Sequence, residues 1–241
     1  MLKGLYTAYT GMINEQHRMD TMTNNLANAS TVGFKKEGAT SQSFDDILTV
    51  KIKDQSVGLQ NVQRIGTNNP GVKIGENYTD YTQGSFRVTD NTYDLALGGE
   101  GFFAIEYTNK AGETSTMYTR AGQFTLNRDG YLVNENGDYV LGTQNQRIRL
   151  NTLQDSEISS NGTITQNGVE VARIQVTDFE DYNYLEKFGE TYYRPVEGAR
   201  TVQTGATVNS GYLEMSNVQV VSEMVNLIAI TRAYESNQKI I

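Results

Sequence analysis

Cysteine and tryptophan are absent from this 241-residue chain, histidine occurs once, at His17, and there are only two prolines. Without cysteine there can be no disulfide, no thiolate metal site and no cysteine nucleophile. A lone histidine rules out the paired histidines of an H-E-x-x-H zinc site. No apolar run approaches the length of a membrane span. The N-terminus carries Gly4, Tyr6, Thr7, Tyr9 and Thr10 where a secretory signal would need a continuous apolar stretch. Basic residues are outnumbered, 20 against 28 acidic, for a net charge of −8. A nucleic-acid partner, which needs a basic face, is therefore not expected. The basic pair Lys35-Lys36 reads as a solvated loop rather than a phosphate site.

What the chain does have is glycine, 23 residues, and tyrosine, 15 residues. Between about residue 57 and residue 210 glycine recurs too often for long helices. Asp129-Gly130, Asn136-Gly137, Asn161-Gly162 and Asn167-Gly168 are dipeptides favoured in type I′ hairpin turns. Short strand candidates lie between them, among them Phe102–Tyr107, Tyr139–Leu141 and Val169–Val176. This pattern predicts a β-sandwich or barrel-like central domain. Residues 41–53 are ambiguous between a helical turn and a strand.

The two ends read differently. Leu2, Leu5, Tyr9, Met12, Gln16, Met19, Thr23 and Leu26 alternate spacings of three and four, the seam of an amphipathic helix. Asn24, Asn25 and Asn28 crowd its end, where a left-handed exit is expected. Gly4 and Gly11 each cost such a helix about 1 kcal/mol relative to alanine. At the other end Val220, Met224, Leu227, Thr231, Tyr234, Gln238 and Ile241 form a similar seam, with Val218, Val221, Val225 and Ile228 as a second stripe. Ser216-x-x-Gln219 predicts a capping box at its start. The apolar face is wider than one partner helix covers. The chain thus reads as mainly β with paired terminal α-helices: a helical coiled-coil assembly domain of residues 1–34 and 211–241, and a central β-rich domain of residues 35–210.

No motif for a nucleotide, metal or other cofactor is found, and none is expected. Gly98-Gly99-Glu100-Gly101 lacks the spacing of a phosphate cradle and reads as a tight turn before Phe102-Phe103. Asn127–Gly130 and Asn134–Asp138 read as turns rather than a calcium loop, because Gly130 at the sixth position puts Thr125 first and Asn136 last, where Asp and Glu are needed. Asp45-Asp46 and Glu180-Asp181 read as surface acids, and His17 as a surface or interface residue.

Four blocks then match a known family in order. Thr23-Asn24-Asn25-Leu26-Ala27-Asn28-Ala29-Ser30-Thr31-Val32-Gly33-Phe34-Lys35 resembles the N-terminal signature of bacterial flagellar rod and hook proteins. Asp94 to Phe103, including Gly101, Phe102 and Phe103, resembles the D-x-A-I-x-G-x-G-F-F segment. Tyr118-Thr119-Arg120-Ala121-Gly122-Gln123-Phe124, with Gly130-Tyr131-Leu132-Val133, is similar to Y-T-R-x-G-x-F and G-x-L-V. Gly211 to Val218, Glu223 to Ile228 and Arg232 to Glu235 resemble the closing signature.

The resemblance, to basal-body rod proteins of the FlgF/FlgG type, implies a non-enzymatic structural subunit. It implies export through the flagellar type III apparatus without a cleaved signal, and helical polymerisation with copies of itself and other rod and hook proteins. The product would be a drive shaft of the basal body, spanning the periplasm. The assembly interface would comprise Leu2, Leu5, Tyr9, Met12, Met19, Leu26, Val218, Val220, Val221, Met224, Val225, Leu227, Ile228 and Tyr234. In that family the last helix continues past the segment matching Lys239-Ile240-Ile241. Residues 217–241 as helix span about 37 Å. Two alternatives are a glycan-binding or glycan-cleaving β-domain, drawn from the tyrosines and paired acids, and a rod cap or adaptor that does not polymerise.

Overall fold

A computed structural model describes residues 2–52 and 62–241. The chain is mainly β, with one long helix near each end. It divides into two compact units. Unit 1 takes residues 1–27, 36–80 and 219–241, and unit 2 takes residues 28–35 and 81–218. Residues 36–80, which the sequence pattern puts with the central β region, group with the helices.

Unit 1 holds helix α1 (Leu2–Ala27), strands β1 (Glu37–Ser43), β2 (Ile47–Ile52), β3 (Val62–Asn68) and β4 (Val72–Thr79), and helix α2 (Val220–Ile240). The ambiguous stretch 41–53 is thus strand at each end of a short break, and residue 53 lies outside the described residues. β1 pairs with β4, and β2 with β3, both antiparallel. α1 packs on α2, β1 and β4.

The side chains α1 buries most deeply are small or polar: Ala8, Asn14, Thr21 and Asn25. Asn14 accepts a hydrogen bond from Ser41 Oγ at 3.1 Å, and His17 meets Asn77 at 2.9 Å. Gly11 lies against α2, where an added Cβ would stand 3.1 Å from Asn237 Nδ2. Gly4 faces open space.

The capping box is absent. α2 starts at Val220 with Gln219 as its N-cap and no side-chain cap bond. Ser216 Oγ instead accepts from the Val218 N–H at 3.3 Å. Residues 212–214 are claimed by a strand and Val218 is buried, so the chain stays extended through the expected cap.

Unit 2 is built on an antiparallel ten-stranded sheet. Its main path runs Leu185–Phe188, Tyr192–Pro195, Thr114–Thr119, Phe102–Thr108, Tyr139–Gly142, Leu132–Asn134, Phe124–Leu126. The first and last of these strands do not pair, so the sheet is open and forms no closed barrel.

Strand alternation feeds a core on each face. Phe103 and Val140 join Leu95, Leu97, Phe124, Leu132, Ile148, Ile164, Ile174 and Val208 in the larger cluster. Phe102 and Leu141, their chain neighbours, join Tyr118, Phe179, Leu185 and Tyr193 in the other. Phe102 sits among Tyr81, Phe179, Tyr182 and Tyr193 with ring centroids 5.3–6.2 Å away.

The turn chemistry is more uniform than the dipeptides suggest. Of the four, only Asn167-Gly168 has both residues at positive φ, 51° and 77°, as a type I′ turn requires. Asn127–Tyr131 and Asn134–Asp138 share another form with Asn109–Glu113. In each, the asparagine Oδ1 accepts from the N–H groups two and four residues on, and a glycine at the fourth position takes positive φ. This is the hairpin with a type I turn and a left-handed glycine closing it. The Ser159–Thr163 turn has the same backbone bonds and a left-handed glycine, Gly162, with serine in place of the asparagine.

Tyr192 ties one such loop to the sheet. Its hydroxyl donates to Asp138 at 2.7 Å and accepts from Asn134 and Asn136 Nδ2 at 2.6 and 2.7 Å. Burial, then Asp138, hold the phenol well above its ordinary range. A raised folded-state value means the stabilisation is complete below the unfolded tyrosine value near 10 and is lost as pH rises beyond it. Tyr192→Phe should therefore lower the unfolding free energy by about 1–3 kcal/mol at neutral pH. The same variant should flatten the loss of stability above about pH 10, read by urea titration across pH. Gly4→Ala should raise the helicity of α1 and its stability by about 0.5–1 kcal/mol, read by circular dichroism, since nothing obstructs the methyl group.

Candidate functional site

The asparagines at the end of α1 have separate tasks. Asn25 is fully buried. Its Nδ2 donates to Glu37 O at 2.7 Å, and its Oδ1 accepts from Glu37 N–H at 2.9 Å. An asparagine amide carries the same donor and acceptor as a peptide, so Asn25 pairs with the first residue of β1 as a strand neighbour would. Asn24 is exposed and Leu26 half-buried. In unit 2, Asn28 is buried and holds the turn that follows, accepting from Thr31 Oγ1 at 3.0 Å and from Thr31 N–H at 3.2 Å. Gly33 takes φ 69° with its Cα against Ala121, where a Cβ would clash with backbone at 2.3 Å. Phe34 is wholly buried, with Lys187 Nζ 4.0 Å from its ring centroid.

Next to Phe34 is the charged centre of unit 2. Lys35, expected in a solvated loop, is 1% exposed. Its Nζ donates to Glu214 Oε1 at 2.6 Å and to Thr82 O at 2.8 Å. Glu214 has no exposed surface, and its Oε2 also accepts from Arg120 Nη1 at 3.3 Å. Arg120 Nη2 donates to Gly99 O at 2.8 Å, and the Gly84 N–H donates to Glu214 Oε1 at 3.0 Å. One carboxylate thus serves two buried cations. Sequence reasoning missed this set. Its signal was Glu214 inside the apolar run Tyr212-Leu213-Glu214-Met215, since a carboxylate taken out of water needs partners. In unit 1, Lys36 makes an ion pair of its own, 2.5 Å from the buried Glu223 of α2.

The residues expected at the assembly interface fall into three groups. Leu5 and Tyr9 on α1, and Val220, Val221, Met224, Val225 and Ile228 on α2, are exposed. Val221 keeps 73% and Val225 61% of its surface. Met12, Met19, Leu26, Leu227 and Tyr234 are half-buried. Val218, which belongs to unit 2, is buried. The side chain of Leu2 lies outside the described residues. α2 buries Glu223 and Ile230 and turns the valine stripe outward. An exposed row of branched apolar side chains leaves association energy available, roughly 1.5–3 kcal/mol for each one fully covered.

Gly101 (φ 133°) turns the chain into Phe102-Phe103, which fill the two cores. Glu180 faces Arg200 on the surface, and Asp181 caps a short 3-10 turn. Among the described residues no three of His, Cys, Asp or Glu stand together as metal ligands. No described helix is long and apolar enough to cross a membrane.

Comparison with known proteins finds three family patterns in order along the chain. "Flagella basal body rod protein" matches residues 5–35, "Flagellar hook protein FlgE/F/G D1 domain" residues 96–166, and "Flagellar basal body rod FlgEFG protein C-terminal" residues 209–241. The flagellar basal-body rod protein FlgG of Bacillus subtilis is 34% identical, over 100% of this chain and 94% of its own length. The rod protein FlgF of Caulobacter vibrioides is 33% identical, over 99% of this chain and 92% of its own. The hook-basal body complex protein FlhO of Bacillus subtilis is 32% identical, over 100% and 94%. The matched segments contain the buried Asn25, the Lys35–Glu214–Arg120 centre and the exposed valine stripe, and the chain belongs to the flagellar basal-body rod protein family, a structural subunit of the flagellar basal body.

Proposed function

We propose that this subunit polymerises through its terminal helices into the torque-transmitting shaft of the basal body. The observation that carries the reading is the outward apolar stripe of α2, Val221, Met224, Val225 and Ile228, with Leu5 and Tyr9 exposed on α1. In this reading α1 and α2 form the inner layer, packing coiled-coil fashion against the helices of other copies and of other rod and hook proteins. Unit 2 forms the outer layer, a sandwich-like body around its open sheet. The chain reaches its place through the flagellar type III apparatus, unfolded, and the shaft crosses the periplasm. The subunit bears load and carries out no catalytic step.

Val221→Asp and Val225→Asp test this directly. Both side chains are exposed, so the monomer should keep its near-ultraviolet circular dichroism and unfolding midpoint. Incorporation into purified basal bodies should fall roughly tenfold or more, and a tenfold fall corresponds to about 1.4 kcal/mol of binding free energy. Normal incorporation of either variant would remove α2 from the interface. Limited proteolysis adds a second check: α1 and α2 should be cut first in the monomer and become protected on assembly. Helices as resistant in the monomer as in the basal body would contradict the reading.

A further inference from the structure

Unit 2 is closed by its last segment. The strand Thr207–Ser210 pairs with Leu95–Gly98, and Tyr212–Glu214 pairs with Phe86–Val88. Val208 enters the larger core, and Leu213 is buried. Backbone bonds run from Gly33 N–H to Glu214 O, from Met215 N–H to Ser85 O and from Gly211 N–H to Asp94 O, each 2.8–2.9 Å. Gly84 lies so close to Met215 O that a Cβ there would overlap it. Glu214 supplies the carboxylate that Lys35 and Arg120 share. These partners are separated from the segment by long stretches of chain, so their contacts form only after the loops between them close.

We propose that residues 207–216 are a folding keystone, and that unit 2 stays open until Glu214 arrives to neutralise Lys35 and Arg120. A buried cation deprived of its carboxylate is far costlier than a surface one, because the low-dielectric interior does not make good its hydration. A chain made from its N-terminus therefore holds both cations before it holds their counter-charge. Residues 28–206 contain all ten strands of the sheet, yet they remain open and threadable until the end of the chain follows. That consequence for delivery rests on the export reading above; the keystone itself does not.

The charge requirement is tested in the full chain. Glu214→Leu should lower the folded-to-unfolded ratio of unit 2 on the order of 100-fold or more in urea titrations followed by near-ultraviolet circular dichroism. Lys35→Met/Arg120→Met/Glu214→Leu, which removes the charges together, should recover most of that stability. A mild Glu214→Leu effect, or a triple variant no better than the single one, would overturn the charge argument.

The order of folding is tested by nicking the full chain at a protease site placed in the loop at Gly205. The nicked protein should stay folded. After separation in denaturant, the N-terminal piece should refold only when the 206–241 peptide is added. The peptide carrying Glu214→Gln should be at least tenfold weaker in restoring the signal. Cooperative refolding of the N-terminal piece alone would overturn the keystone. Secretion of the intact chain through the type III apparatus is measured separately. Its failure beside normal complementation would remove the export reading and leave the keystone standing.

Discussion

The fold of unit 2 depends on one buried carboxylate. Glu214 has no exposed surface and accepts from Lys35, Arg120 and the Gly84 N–H. Its backbone oxygen accepts from Gly33. Buried ion pairs are not strong stabilisers compared with well-packed apolar groups, but breaking one from a single side is expensive. Glu214 therefore acts less as glue than as a condition. The segment after α1, the middle of the sheet and the strand before α2 are all correct when it is in place.

Around that condition the rest of unit 2 is ordinary strand physics. Alternation along Phe102–Thr108 sends successive side chains to opposite cores, so a single strand in the middle of the sheet organises both faces. Three of the turns repeat one solution, an asparagine side chain spanning the turn and a glycine at positive φ ending it.

Unit 1 follows another logic. The face of α1 set against β1 and β4 is polar where it is most buried, because it meets backbone and side-chain hydrogen-bonding groups there. Asn14, Asn25 and His17 each find a partner on a strand. That leaves apolar residues of both helices outward, Leu5 and Tyr9 on one and the valine stripe on the other. The pair buries Asn14, Thr21, Asn25 and Glu223 beside Ala8 and Ile230, and keeps several of its larger apolar side chains exposed.

The sequence alone was enough for the terminal helices, the strand-rich middle, the Asn167-Gly168 turn and the family, since each rests on local period or on residues adjacent in the chain. Outward valines could be counted from the heptad pattern, but which stripe faced water could not. What α1 buries depends on β1 and β4, strands of no special hydropathy. The late start of α2 is likewise a tertiary effect: strand pairing at 212–214 and burial of Val218 keep the chain extended past a plausible cap. Lys35 and Lys36 mark the limit most clearly. Two adjacent lysines look like solvent until their partners, Glu214 and Glu223, are brought to them from the far end of the chain. Local chemistry fixes which elements form; only long-range contacts decide which charges leave water, because burial is a property of what lies opposite rather than of what lies alongside.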